Sequence, residues 1–147
     1  MNVDQTMEML NGEKAEQLFA ALYGADQTKE QKERYRELLS GYRDKFGDGD
    51  VKLFSSPGRT EISGNHTDHN HGKVLAGSIN LDCVGVAAEN HSSLVKIVSV
   101  TFGQEFTVDL NDLEPSRRKA GTEDLVKGLL KGFQESGYEV GGFNAYI

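Results

Sequence analysis

The chain has 147 residues and a mass of 16.1 kDa, with 37% hydrophobic and 27% charged residues. That balance suits one domain able to bury roughly 70% of its unfolded surface, and excludes a disordered or membrane-embedded chain. Sixteen basic against 23 acidic side chains leave a net charge of −7, which disfavours general nucleic-acid binding because the domain repels phosphate backbones.

The single cysteine, Cys83, cannot close an internal disulfide and fits a reducing compartment. The opening MNVDQTMEMLNGEKAEQ lacks the basic start and apolar run of a signal peptide. No apolar stretch approaches the ~18–20 residues that span a bilayer, so the expected setting is cytoplasmic, with no membrane partner.

Residues 1–50 read as helical. Asn11 is placed to cap a helix running to about Tyr23, with Ala15, Leu18, Phe19 and Leu22 on one face and Gly24 as its stop. Thr28 followed by Gln31 reads as a capping box for a second helix, in which Tyr35, Leu38, Leu39, Tyr42 and Phe46 recur at helical steps. From residue 51 the texture changes to short Val- and Ile-rich strands, 51–55, 73–79, 81–88, 94–100 and 105–110. His91-Ser92-Ser93 is expected to turn one hairpin and Phe102-Gly103-Gln104 another.

Thr122 then caps a helix to about Ser136, with Leu125, Val126, Leu129, Leu130 and Phe133 as a buried stripe. Residues 143–147 begin another strand, which suggests a truncated domain or an edge-paired C-terminal strand. Cys83, in an apolar strand, is expected to be buried. Arg117-Arg118-Lys119 reads as a solvated basic cluster. The expected architecture is α+β: helices, then a mixed or antiparallel sheet with a helix packed on one face, as a single domain over 1–147.

The segment 56–72, SPGRTEISGNHTDHNHG, stands apart. It holds three of the four histidines within six residues, and Gly58, Gly64 and Gly72 permit tight backbone geometry. Pro57 is expected to end the strand 51–55. Polar groups this dense are costly to bury unpaired, so they face water, a ligand or each other. One reading makes His66, Asp68, His69 and His71 metal ligands, although H-x-D-H-x-H matches no ligand spacing with a clear mechanical basis. A second presents Arg59, Asn65 and Asp68 to a polyhydroxylated ligand, such as a sugar with a phosphate nearby. The carboxylate would accept from neighbouring hydroxyls, the amide would donate and accept, and the guanidinium would fork an anion. A third is a polar turn closed by its own hydrogen bonds.

The string PGRTEISGNHTDHNHGKVLAG, residues 57–77, resembles without a gap the galactokinase signature PGRxNLIGEHTDYNxGxVLP, within the superfamily of galacto-, homoserine, mevalonate and phosphomevalonate kinases. The resemblance runs from about Leu38 to the last residue, with 51–82 as the signature sugar-binding region and the first 25 residues as an N-terminal extension. It implies a truncated fold akin to the second domain of a small-subunit ribosomal protein. It also implies transfer of the ATP γ-phosphoryl group to the anomeric hydroxyl of galactose, with ATP and Mg2+ serving the full-length enzyme and a small-molecule sugar as partner.

By the same resemblance Arg59 lies near the transferred phosphate, an apt place for a fixed guanidinium. Asp68 binds adjacent sugar hydroxyls, and His66 braces the loop. Asn65 stands where the family has a glutamate, a change that should weaken or redirect one hydroxyl contact by about 1 kcal/mol. His69 replaces the family tyrosine, and Glu61-Ile62-Ser63 replaces Asn-Leu-Ile. The chain contains no glycine–serine phosphate cradle, so no tight cofactor binding and no turnover are expected of it alone. A catalytically silent sugar sensor on the same scaffold is the alternative reading. Self-association through an open sheet edge is a further expectation.

Overall fold

The structure is a computed structural model that describes residues 1–64, 70–115 and 121–147. Its elements run α1 (Val3–Met9), α2 (Glu13–Tyr23), α3 (Thr28–Phe46), β1 (Lys52–Ser63), β2 (Leu75–Glu89), β3 (Leu94–Ser99), β4 (Gln104–Asp109), α4 (Thr122–Glu135) and β5 (Phe143–Tyr146), the α+β class expected.

The N-terminal helices differ from expectation at their ends. The seven-residue α1 is too short to show a periodic stripe, yet Asn2 and Gln5 form a reciprocal capping box. The Gln5 N–H donates to Asn2 Oδ1 at 2.9 Å, and the Asn2 N–H donates to Gln5 Oε1 at 3.1 Å. Gly12, not Asn11, is the cap of α2. Asn11 instead accepts a hydrogen bond from Arg36 on α3 at 2.6 Å. Thr28 does not cap α3; its hydroxyl donates to the Gly24 carbonyl at 3.2 Å. The cap of α4 is likewise Gly121 rather than Thr122. Asn11 and Thr28 are thus taken by partners other than the helix end that local sequence assigns to them.

These helices close over one face of the sheet. Val3, Leu10, Ala15, Phe19, Tyr35, Leu38, Leu39 and Tyr42 pack with Val51, Val84, Val86 and Ala88 in one core. Residues 1–25 are therefore part of the main core. The buried Lys32 of α3 pairs with Glu16 of α2, and Arg43 of α3 pairs with Asp4 of α1 at 2.8 Å. Gly41 lets α3 approach the sheet closely, since a β-carbon there would lie 2.5 Å from the Tyr146 ring.

The strand order is β1-β2-β5-β3-β4. A hairpin at His91-Ser92-Ser93 does not form, because β5 inserts between β2 and β3. It runs antiparallel to β2 (Val86↔Tyr146 to Glu89↔Phe143) and parallel to β3 (Lys96↔Asn144 to Val98↔Tyr146). Entry depends on Gly142, whose N–H donates to the Ser92 carbonyl at 2.9 Å and whose carbonyl accepts from the Asn90 N–H at 3.1 Å. A β-carbon at Gly142 would overlap the Ser92 oxygen. The β3–β4 hairpin forms as expected, with Gly103 at φ +57° in its turn.

A second core lies on the opposite face, where Val95, Ile97, Val108, Leu113, Leu130 and Ala145 meet Val126, Phe106 and Phe143. Helix α4 reaches it through Val126 and Leu130. The rest of its expected stripe is exposed: Leu125 at 66%, Leu129 at 59% and Phe133 at 53%. The stripe is wider than the one line of contact that α4 makes with β4 and its neighbours.

Candidate functional site

Residues 56–63 of the signature segment lie on β1, which pairs with β2 as a β-hairpin. Pro57 does not end β1; the strand continues to Ser63 and pairs antiparallel with β2 along its length. The segments 73–79 and 81–88, expected as two strands, are one strand from Leu75 to Glu89. The reason is a bulge, which absorbs both the missing proline donor and the irregular register. Between the pairs Pro57↔Asp82 and Arg59↔Ser78, Gly58 alone faces residues 79–81. A β-carbon at Gly58 would come within 3.2 Å of Ile79 Cδ1 and the Leu81 carbonyl oxygen.

Beyond the bulge the hairpin becomes a two-stranded arm, residues 59–63 against 75–78, most of whose side chains are exposed. Arg59 sits on this arm with its side chain 72% exposed. Its Nε and Nη2 donate to Glu61 Oε1 at 3.1 and 2.9 Å, as alternation along a strand permits for residues two apart. A surface ion pair of this kind is worth at most about 1 kcal/mol, so an anionic ligand can compete for the guanidinium.

The neck of the arm is set by Gly64. Its φ is +85°, and a β-carbon there would overlap the carbonyl oxygen of Lys73. Asn65, His66, Asp68 and His69 follow Gly64 directly in the chain and lie outside the described residues, as do Arg117, Arg118 and Lys119. On the return side Asn70 accepts from the Gly72 N–H at 3.2 Å, and His71 is exposed with φ +55°.

At the base of the arm is a polar cluster that nothing in the sequence marks. Asp82, paired with Pro57 next to the bulge, has a side chain only 5% exposed. Its Oδ1 accepts from Arg34 Nη1 at 2.6 Å, and its Oδ2 accepts from the Tyr23 hydroxyl at 2.6 Å and the Ser55 hydroxyl at 2.5 Å. Arg34 Nη2 also donates to the Asp82 carbonyl at 2.9 Å. The Tyr23 and Tyr35 hydroxyls are 2.9 Å apart. Tyr23, Arg34, Ser55 and Asp82 come from α2, α3, β1 and β2, up to 59 residues apart, so no local pattern could reveal the cluster.

Burial alone would raise the Asp82 pKa, but the hydrogen bonds from Ser55, Tyr23 and Arg34 and the guanidinium charge outweigh it and hold the carboxyl below its usual value. Burial, and then the neighbouring carboxylate, push the Tyr23 phenol well above the usual tyrosine range. The folded state thus binds fewer protons at Asp82 than the unfolded state does. The stabilisation from Asp82 is present above the unfolded pKa of about 3.9 and is lost as pH falls through the lower folded value. Acid denaturation followed by circular dichroism should therefore show a falling stability below about pH 4 that is shallower in Asp82→Asn. Equal slopes in the two proteins would contradict this assignment.

Cys83, expected to be buried, is exposed, because it follows Asp82 on the pleat and points away from the helices that cover Val84 and Val86.

Residues 40–89 match the family model described as the galactokinase galactose-binding signature. The galactokinase of Limosilactobacillus reuteri is 33% identical over a region covering 76% of this chain and 30% of that protein. The galactokinase of Clostridium tetani is 29% identical, with 76% and 28% covered. Among solved structures, Lactococcus lactis galactokinase complexed with galactose superposes with a TM-score of 0.65 at 32% identity, over 77% of this chain and 30% of that one. The chain thus spans about 30% of the length of these relatives. On these matches the chain shares the galactokinase galactose-binding signature over residues 40–89 and is similar to galactokinases in sequence and fold.

Proposed function

We propose that this chain provides the sugar-binding hairpin of a galactokinase-like enzyme, one that transfers the γ-phosphoryl group of ATP to the anomeric hydroxyl of galactose. The observation that carries the reading is the galactose-binding signature matched over residues 40–89, a region that contains both β1 and β2. In this reading Asp68 accepts hydrogen bonds from adjacent sugar hydroxyls, and Asn65 contributes a neutral donor and acceptor beside it. His66 braces the loop. Arg59 turns its fork from Glu61 toward the anionic phosphoryl group.

Among the described residues no cluster of His, Cys, Asp or Glu side chains stands ready to hold the Mg2+ of an ATP complex. The sequence contains no glycine–serine run to cradle phosphates at a helix N-terminus. The chain by itself is expected to bind sugar and not to phosphorylate it, because positioning of the phosphoryl donor is most of what this reaction requires.

Calorimetric titration with galactose tests the reading. Binding by the wild-type chain should disappear in Asp68→Ala, with the thermal melting curve unchanged. Equal affinity in the variant would remove Asp68 from the site, and turnover above a no-protein blank in an ATP-dependent assay would refute the inactivity of the isolated chain.

A further inference from the structure

Among the described residues, none forms a packed layer on either face of the arm of residues 59–63 and 75–78 to fix its direction. A two-stranded ribbon in water is marginal by itself, and a bulge bends and twists the strand that carries it. The angle at which the arm leaves the sheet must therefore be set at its base. There the chain places the enclosed carboxylate of Asp82, immediately after the residues 79–81 that bulge opposite Gly58.

We infer that Asp82, held by Tyr23, Arg34 and Ser55, is the anchor that fixes the direction of the signature arm relative to the sheet. Tyr23, Arg34 and Asp82 are thus positioning residues for the arm. The geometry is that of a clamp. Ser55 and Asp82 lie on the two strands of the hairpin and share one hydrogen bond at 2.5 Å across the ladder. Tyr23 and Arg34 hold the same carboxylate from α2 and α3 at 2.6 Å each. Arg34 also grips the Asp82 backbone carbonyl, which locks the main chain and not merely the side chain. The helices that hold the clamp are braced in turn by the Phe19 ring, 5.7 Å from that of Tyr23 and 5.0 Å from that of Tyr35. Among the described residues, hydrogen bonds from α2 and α3 and from the opposite strand converge on Asp82 at the base of the arm.

The consequence for sugar rests on the function proposed above; the clamp itself does not. Tyr23→Phe removes one hydroxyl and keeps the ring against Phe19, and Asp82→Asn keeps the volume and removes the charge. Residual dipolar couplings of backbone amides report orientation directly. In both variants the couplings of residues 59–63 and 75–78 should shift or average relative to those of 84–89, while couplings within α3 and β3 stay as in the wild type. The galactose dissociation constant should rise about tenfold.

A lower melting temperature with unchanged arm couplings would overturn the inference, because the cluster would then be an ordinary stabilising contact. If Asp82→Asn does not fold, Tyr23→Phe decides the matter alone. If the wild-type chain gives no galactose signal, the proposed function fails while the couplings still judge the clamp.

Discussion

Leu39→Ala is expected to destabilise the fold by about 2–5 kcal/mol. Leu39 is 0% exposed on α3, among Val3, Phe19, Tyr35 and Tyr42 on the helical side and Val84 and Val86 on the sheet. Truncation removes its transfer free energy and leaves a cavity between a helix and a pleated surface, neither of which can collapse freely. Against a total of about 5–15 kcal/mol for a typical domain, the loss is a large fraction, and it should lower the melting temperature by on the order of 10 °C. Denaturant titration would show a lower midpoint with an unchanged slope. A shift below about 0.5 kcal/mol, the usual size for a surface substitution, would mean that α3 does not close the core as described.

The second large effect is local. Gly64→Ala places a β-carbon on a residue with φ +85° and into the carbonyl oxygen of Lys73. The backbone conformation alone costs an alanine about 1–2 kcal/mol. The overlap adds to this, and relief requires the neck to open between the ends of β1 and β2. The main cores lie far along the sheet, so the global melt should move little while the amide shifts of Lys73, Val74 and Ile62 change. Galactose affinity, in the function proposed, should fall about tenfold or more. An unchanged affinity with shifted neck amides would show that the turn tolerates a wider neck and that Gly64 serves backbone shape only.

Asp82 and Asn90 show how differently two polar residues on or beside the same strand can act. Asp82 couples helices to a hairpin. Asn90 couples strands, its Nδ2 donating to the Leu94 carbonyl at 2.9 Å and to Asn144 Oδ1 at 2.8 Å across the slot that β5 enters. Both satisfy buried or half-buried polar groups, and both link segments about 50 residues apart. Neither could be assigned from its neighbours in sequence.

The amino-acid order by itself determined the class of fold, the span of α3, the β3–β4 hairpin and the signature with its glycines. Each of these is written in spacing or in local backbone chemistry: apolar residues every three or four positions over nineteen residues, or a glycine where φ must be positive. Tertiary structure decided the rest. It drove β1 straight through Pro57, because a bulge beside the Asp82 clamp absorbs the missing donor. It slid β5 between β2 and β3, where Gly142 admits a backbone that no local turn signal announces. It left Cys83, Leu125, Leu129 and Phe133 in the open, since an apolar side chain is buried only where another element arrives to cover it, and that arrival depends on contacts between distant parts of the chain.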